Sequence, residues 1–184
     1  MKRATDLVLS FLALILLAPL FLLVAFAVVL DSGFPVFFKQ QRVGVDGREF
    51  GIFKFRSMRQ NAAASGPYFT RTNDARVTKV GQFLRRTSID ELPQLINVLR
   101  GDMSLVGPRP DVPAQQSLYA PEDWKLRCSV RPGITGLAQV KGRSAVSFEQ
   151  RLTMDLDYAR HVSWWGDVKI LWCTVSQLGG KHAN

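Results

Sequence analysis

Asp90 and Glu91 are the residues of this 184-residue chain whose type and setting best suit chemistry. They are adjacent carboxylates inside RRTSIDELPQLINVLRGDMSLVGPRP, residues 85–110, a stretch that also carries Arg85, Arg86, Arg100 and a Gly107-Pro108-Arg109-Pro110 turn. Arginines held rigid beside free backbone N–H groups suit a phosphate oxyanion. A carboxylate in the same place could attack the phosphorus. The plainer alternative is that Asp-Glu does no more than cap a helix. Ile89, Leu92, Ile96 and Leu99 recur at helical spacing and predict a helix that Gly101 ends. Two starts compete for it: a Ser88-x-x-Glu91 capping box, or Asp90 as N-cap with Pro93 in the first turn, where its missing N–H costs little. The second is preferred. In both, the helix dipole favours negative charge at the dyad, so at least one acid should be ionised at neutral pH.

The composition agrees with an anionic partner. Lys and Arg number 24 against 15 Asp and Glu, a net charge of +9. Nucleic acid, a membrane surface or a phosphorylated substrate would each answer to it. Cys128 and Cys173 form no framework and no C-x-x-C, and read as structural thiols of a reducing compartment. His161 and His182 are the only histidines, which argues against histidine zinc sites and Ser-His-Asp catalysis. His161 is expected to be structural. There is no Walker loop, no G-x-G-x-x-G and no internal repeat. At this length the chain is one domain with at most a small appendage.

The elements that must position the dyad begin with an apolar run over residues 7–30, broken by Ser10 and Pro19. It is long enough for a transmembrane helix, long for a signal peptide, and followed by no A-x-A site. Lys2 and Arg3 flank one end; Lys39, Arg42, Arg48, Lys54, Arg56 and Arg59 follow the other. The positive-inside rule wants both flanks in the cytoplasm. Pro19 offers a way to satisfy it by bending the helix, so that two arms of about 18 Å, at ~1.5 Å per residue, dip into one leaflet and return. Composition alone favours an ordinary kinked span instead. The expected division is a membrane segment, residues 1–32, and a cytosolic domain, residues 33–184.

Residues 35–44 and 49–56 read as two strands around an Asp46-Gly47 turn. Lys54 and Arg56 then share one face and Phe53 and Phe55 the other; the basic face suits phosphate, or a solvated edge that discourages aggregation. Residues 59–73 read as a mobile loop, and residues 77–84 as a short helix. Partly helical structure is expected over residues 112–124, with a further helical turn opening at Pro121. Residues 127–140 read as a loop plus a short strand, with Arg131 pinned beside a proline as a further phosphate-binding candidate. Helices are expected over residues 147–161, with Phe148, Leu152, Leu156 and Ala159 on one face, and over 164–178. Asp155 and Asp157 point to different helix faces, so they are a surface pair or one supporting acid rather than a metal-binding D-x-D. Trp164 and Trp165 suit a membrane interface or a core equally. The sum is an α/β (α+β), small mixed domain with an N-terminal membrane-embedded helix, carrying convergent arginines, a lysine and paired carboxylates. Phosphate chemistry at a lipid surface follows, with a divalent metal to offset the charge of a diphosphate.

KFRSM (54–58), the 85–110 stretch, RPGITGLAQVKGR (131–143) and DYARHVSWWGDVKIL (157–171) together resemble the bacterial sugar transferases. Within them the likeness is to the small monotopic phosphoglycosyl transferases. Because the chain opens directly on its hydrophobic segment, it resembles the minimal form. The resemblance implies transfer of a sugar 1-phosphate from a UDP-sugar to undecaprenyl phosphate, giving the lipid-diphosphate sugar and UMP, at the cytoplasmic face of the bacterial inner membrane. It implies Mg2+ as cofactor, membrane lipid as partner, and no nucleic acid. By the family's Asp-Glu dyad, Asp90 would form a covalent phosphosugar intermediate, and Glu91 would help hold magnesium, with Asp90, or assist proton transfer. Arg109 matches the P-R-P arginine; Lys54 and Arg85 match basic positions of the site. The family's re-entrant helix bends at a proline, often in Ser-Pro; Ala18-Pro19 stands here, and with the basic flanks it moves the balance toward re-entry. Residues 66–73 and 142–148 are the segments expected near the sugar. A tethered nucleic-acid-binding module and a non-catalytic scaffold are the competing classes. The first fits poorly, because the basic residues are scattered among prolines rather than set along one helix with aromatic platforms.

Overall fold

The computed structural model describes residues 1–60, 74–142 and 146–178. Most of the loop expected over 59–73, part of the 142–148 segment and His182 lie outside the described residues. The chain opens with two helices, α1 (Lys2–Leu16) and α2 (Ala18–Ser32), bent by 61° at Leu17. The break sits where the sequence placed it. A proline at position 19 has no N–H for the carbonyl of Ile15 and its ring crowds that carbonyl, so the first helix stops and Pro19 takes the second position of the next, where no donor is missed. Among the described residues no single helix is long and apolar enough to cross a membrane, whereas the bent pair passes that test together.

The apolar run is two-sided. On α1, Asp6 and Ser10 are buried against the domain while Val8, Phe11, Leu12 and Ile15 are exposed. On α2, Val24 and Val28 pack with Phe55 and Leu84, while Leu22, Leu23, Phe26 and Leu30 are exposed. Both ends of the pair are tied to the same domain. At the start, Lys2 donates to the Val106 carbonyl (3.0 Å) and pairs with Asp167 (2.5 Å), and Asp6 accepts from Ser104 Oγ (2.9 Å) and the Leu105 N–H (3.1 Å). At the far end, Arg56 donates to the carbonyls of Ser32 and Gly33, and Asp31 accepts from the Val80 N–H (3.1 Å). Arg56 therefore leaves the face assigned to it from the strand alternation. The strand ends at Phe55, and the buried guanidinium binds carbonyls that the end of α2 leaves free.

The hairpin forms as expected, β1 (Phe37–Val43) antiparallel to β2 (Glu49–Phe55), with Phe38 opposite Lys54 and Arg42 opposite Phe50. Asp46 and Gly47, at φ 57° and 75°, make the turn, a conformation that glycine and aspartate tolerate. Next come α3 (Lys79–Arg86), whose N-cap Thr78 accepts from the Gly81 N–H, and α4 (Gln94–Arg100), closed by Gly101 at φ 95°. A parallel pair, β3 (Ser104–Val106) and β4 (Gly133–Thr135), is linked through a 3-10 segment and α5 (Pro121–Arg127). The chain ends with α6 (Leu137–Gly142), α7 (Phe148–Arg160) and α8 (Trp164–Leu178). The domain is small and mixed, as expected, with α6 replacing part of the anticipated loop. Ser147 caps α7 in a full capping box with Gln150. Trp164 donates to Thr5 of α1 (3.1 Å), whereas Trp165 and Trp172 are exposed. His161 bonds within its own helix end to Asp157, a structural contact.

Candidate active site

Asp90 and Glu91 lie in a single 3-10 turn, Ile89–Glu91, entered from Ser88 in the left-handed conformation at φ 57°. Neither expected helix start holds. Ser88 and Asp90 make no capping bond, and α4 begins only at Gln94. Pro93 is the cause: with no N–H it cannot bond the Ile89 carbonyl, and the residues before it are left with shorter i→i+3 bonds, from Glu91 N–H to Ser88 and from Leu92 N–H to Ile89. The consequence is chemical. Asp90 is buried, and among the described residues its carboxylate accepts no hydrogen bond.

Glu91 is engaged on both oxygens. Its Oε1 accepts from Lys54 Nζ at 2.8 Å and from Arg109 Nη2 at 2.5 Å, and its Oε2 from Arg109 Nη1 at 3.3 Å. Lys54 comes from β2 and Arg109 from the proline-flanked turn after β3. Arg85, at the end of α3, donates Nε to Ser57 Oγ (2.9 Å), and its charge acts on Asp90. Four of the expected residues besides Asp90 thus converge: Glu91, Lys54, Arg85 and Arg109.

The other arginines do not. Arg86 is exposed, and Arg100 stacks over the Phe53 ring at 4.7 Å. Arg131, expected on the phosphate, donates Nε to the Gly101 carbonyl (2.9 Å) at the opposite end of α4 from the dyad, beside the Val98 and Leu99 carbonyls that Arg3 holds. The physical reason is the free carbonyls of a helix C-terminus, which attract cations. Arg42, Gln94 and Arg127 were missed. Arg42 shares the hairpin face of Lys54, so the strand register alone could have pointed to it. Arg127 is buried in an ionic network, 2.9 Å from Asp111 and 3.0 Å from Asp155, and donates Nη2 to the Arg109 carbonyl at 2.5 Å. Asp155 is thus the supporting acid of its pair; Asp157 stays outside.

Electrostatics separates the two acids. Burial, helped by the Glu91 charge, pushes Asp90 up to about 6 against the opposing pull of Lys54, Arg85 and Arg109. Burial alone would raise Glu91 as well, but Arg109 and Lys54 hold it well below the usual carboxylate range. Glu91 is therefore ionised at any working pH, while Asp90 gains and loses a proton near neutrality, the pattern that marks two carboxylates set to different tasks. If ionised Asp90 is the reacting form, kcat/KM should rise about tenfold per pH unit below pH 6 and level off by about pH 7. A pH–rate profile flat from 5 to 7 would remove that role.

The sequence matches the bacterial sugar transferase family over residues 1–181. Among curated relatives, it is 47% identical over 182 residues to a UDP-glucose:undecaprenyl-phosphate glucose-1-phosphate transferase of Escherichia coli, covering 95% of this chain and 39% of that protein. A protein of the same description from Caulobacter vibrioides is 45% identical over 184 residues, 96% of this chain and 69% of the relative. An undecaprenyl-phosphate galactose phosphotransferase of Salmonella typhimurium is 41% identical over 190 residues, 95% of this chain and 40% of the relative. The chain thus spans about two-fifths of the Escherichia coli and Salmonella proteins, and its matched length contains the dyad, Lys54, Arg85 and Arg109. It belongs to the bacterial sugar transferase family.

Proposed function

We propose that this protein transfers a sugar 1-phosphate from a UDP-sugar to undecaprenyl phosphate, the first membrane step in assembling a glycan. The observation that carries the reading is Asp90: a buried carboxylate without a hydrogen-bond partner, set beside Lys54, Arg85 and Arg109, whose neighbour Glu91 is already neutralised by two of those cations. A carboxylate is a weak nucleophile and needs a phosphorus whose charge is already offset, which fixed cations provide. In the first step an Asp90 oxygen bonds to the sugar-bearing phosphorus. The bond from that phosphorus to the bridging oxygen breaks, and UMP leaves with the electron pair. In the second, an oxygen of the lipid phosphate attacks the same phosphorus and returns Asp90 as a free carboxylate.

Magnesium belongs to this reading, and the donor set fits it in part. Asp90 offers unpaired oxygens, whereas Glu91 would have to release Lys54 or Arg109 to become a ligand. No cluster of three or more His, Cys, Asp or Glu among the described residues could hold a metal unaided. The ion would be shared between Asp90, with or without Glu91, and the substrate's phosphates, as magnesium commonly is. When bound, it offsets diphosphate charge. Of the two roles expected for Glu91, charge and metal binding fit its low proton affinity; proton transfer does not.

The membrane part of the reading is re-entry of α1 and α2 from the cytoplasmic side of the inner membrane. Both ends of the pair are anchored on one domain, and its bend at Leu17 is flanked by exposed apolar side chains, a surface that calls for lipid. A cysteine at Met1, in a background where exposed Cys173 is serine, should react with a membrane-impermeant maleimide only from the cytoplasmic side. Labelling from the periplasm would restore a spanning helix. The reaction itself is tested by UMP release from a panel of UDP-sugars with undecaprenyl phosphate and magnesium. Release dependent on one donor would support the reading and name the sugar; strong binding to random DNA without UMP release would favour a nucleic-acid module instead.

A further inference from the structure

Beyond the Glu91 ion pairs, Lys54 and Arg109 line a small pocket that opens to solvent. Its remaining wall includes Arg42, Gln94 and Ile52, residues that the reaction above does not use, and it does not include Asp90. Gln94 is 2% exposed, yet its carboxamide has no hydrogen-bond partner among the described residues. Arg42 directs Nη1 to the Pro110 carbonyl (2.9 Å) and Nη2 to Gln40 Oε1 (2.8 Å), which leaves its Nε buried and unpartnered. The Arg42 Nε, a buried donor without an acceptor, carries a desolvation cost that a ligand oxygen would relieve. The cavity is also over-supplied with positive charge. Arg42, Lys54 and Arg109 line it and, among the described residues, no carboxylate does, although Glu91, Asp90 and Asp111 act on them from outside it. Burial together with the Arg109 charge pushes Arg42 below its ordinary value. An anion with several acceptor oxygens is the ligand that fits.

The stereochemistry of phosphoryl transfer says which anion. Entering and leaving oxygens stand in line across the phosphorus. When Asp90 attacks, the nucleotide's phosphate departs from the side opposite Asp90. When the lipid phosphate later displaces Asp90, it must enter from that same side. One subsite then serves both phosphate monoesters in turn. We propose that Arg42 and Gln94 line this subsite and bind phosphate oxygens there, first those of the departing UMP and then those of the incoming lipid phosphate. This rests on the two-step reading of the preceding subsection.

Gln94→Met is the cleanest probe, because it deletes a carboxamide that holds nothing else in the fold. Arg42→Gln is the second, keeping a donor for the Pro110 carbonyl. In full-length protein reconstituted in vesicles with magnesium, the inhibition constant of UMP and the KM for undecaprenyl phosphate should rise together, each by about tenfold or more, the usual effect of losing a hydrogen bond to a charged group. Gln94→Glu, which sets a carboxylate against the phosphate, should raise both further. UMP should compete with undecaprenyl phosphate in the wild type. A rise in one constant without the other would overturn the shared subsite, and unchanged constants in both variants would overturn the assignment of the cavity. Direct UMP binding, measured by calorimetry on the same preparations, tests the pocket without turnover. Binding by wild type that Gln94→Met weakens supports the cavity even if no donor reacts, and equal binding by both refutes it. Failure of every UDP-sugar to release UMP would count separately, against the parent reaction.

Discussion

Asp90→Asn is expected to abolish UMP release, by on the order of 10⁴-fold or more, and at the same time to raise the melting temperature. The two effects have one origin. Asp90 is buried with no hydrogen-bond partner among the described residues, so ionising it in the folded protein is costly, and its pKa stands at about 6 against an ordinary 3.8. The folded state therefore binds more protons than the unfolded chain between these values. The contribution of Asp90 to stability is greatest below about pH 4 and falls as pH rises toward 6; above that its loss is complete. At pH 7 the difference amounts to up to about 3 kcal/mol, worth several degrees in a chain of this size. Asparagine removes the charge and the penalty with it. Thermal unfolding of wild type and variant at pH 4 and pH 7 measures the effect, which should appear at the higher pH and vanish at the lower. Mass spectrometry after exposure to UDP-sugar should find a phosphosugar adduct on the wild type and none on the variant. An inactive variant with unchanged stability at both pH values would mean that Asp90 is not the strained carboxylate described here; an active variant would dismiss it as the nucleophile.

Arg127→Met should cause the largest loss of stability, about 3–5 kcal/mol. The guanidinium is 4% exposed and is the counter-charge for both Asp111 and Asp155, each as deeply buried. Removing it leaves two carboxylates in a dry environment: Asp111 keeps Tyr119 and a more distant Arg151, while Asp155 loses its one hydrogen-bond partner among the described residues. The same side chain donates to the Arg109 carbonyl, so the P-R-P turn loses a fixed point and kcat should fall along with stability. The two effects separate in a triple variant. Replacing Arg127, Asp111 and Asp155 by Met, Leu and Leu removes the buried charges together, leaves only the part-exposed Arg151 without its acid, and should restore much of the stability, without returning the bond that holds Arg109. Full recovery of kcat in that variant would show that the network only stabilises the fold and does not position the arginine.

The sequence by itself determined whatever depends on near neighbours. The break before Pro19, the Asp46-Gly47 hairpin, the end of α4 at Gly101, the Ser147 cap and the span of α8 all follow from local backbone rules that hold in any surroundings. The grouping of Asp90, Glu91 and Arg109 was legible for a similar reason, since they lie within one short stretch bounded by prolines. The start of α4 was not read correctly, although Pro93 was in plain view, because a 3-10 turn and an α-helical first turn accept the same residues.

Only the tertiary structure decided the fate of charges whose partners are far away in sequence. Arg56 and Arg131 had the same credentials as Lys54 and Arg109, yet they went to the free carbonyls at the ends of α2 and α4. Asp6, at the threshold of what read as a membrane-embedded run, is buried against β3 98 residues on. Arg127 acquired its role behind Arg109 by pairing with an acid 28 residues away. The reason is physical. A buried charge is tolerated only where counter-charges and hydrogen bonds gather around it, and which groups gather is fixed by the packing of whole elements, not by residue type or spacing along the chain.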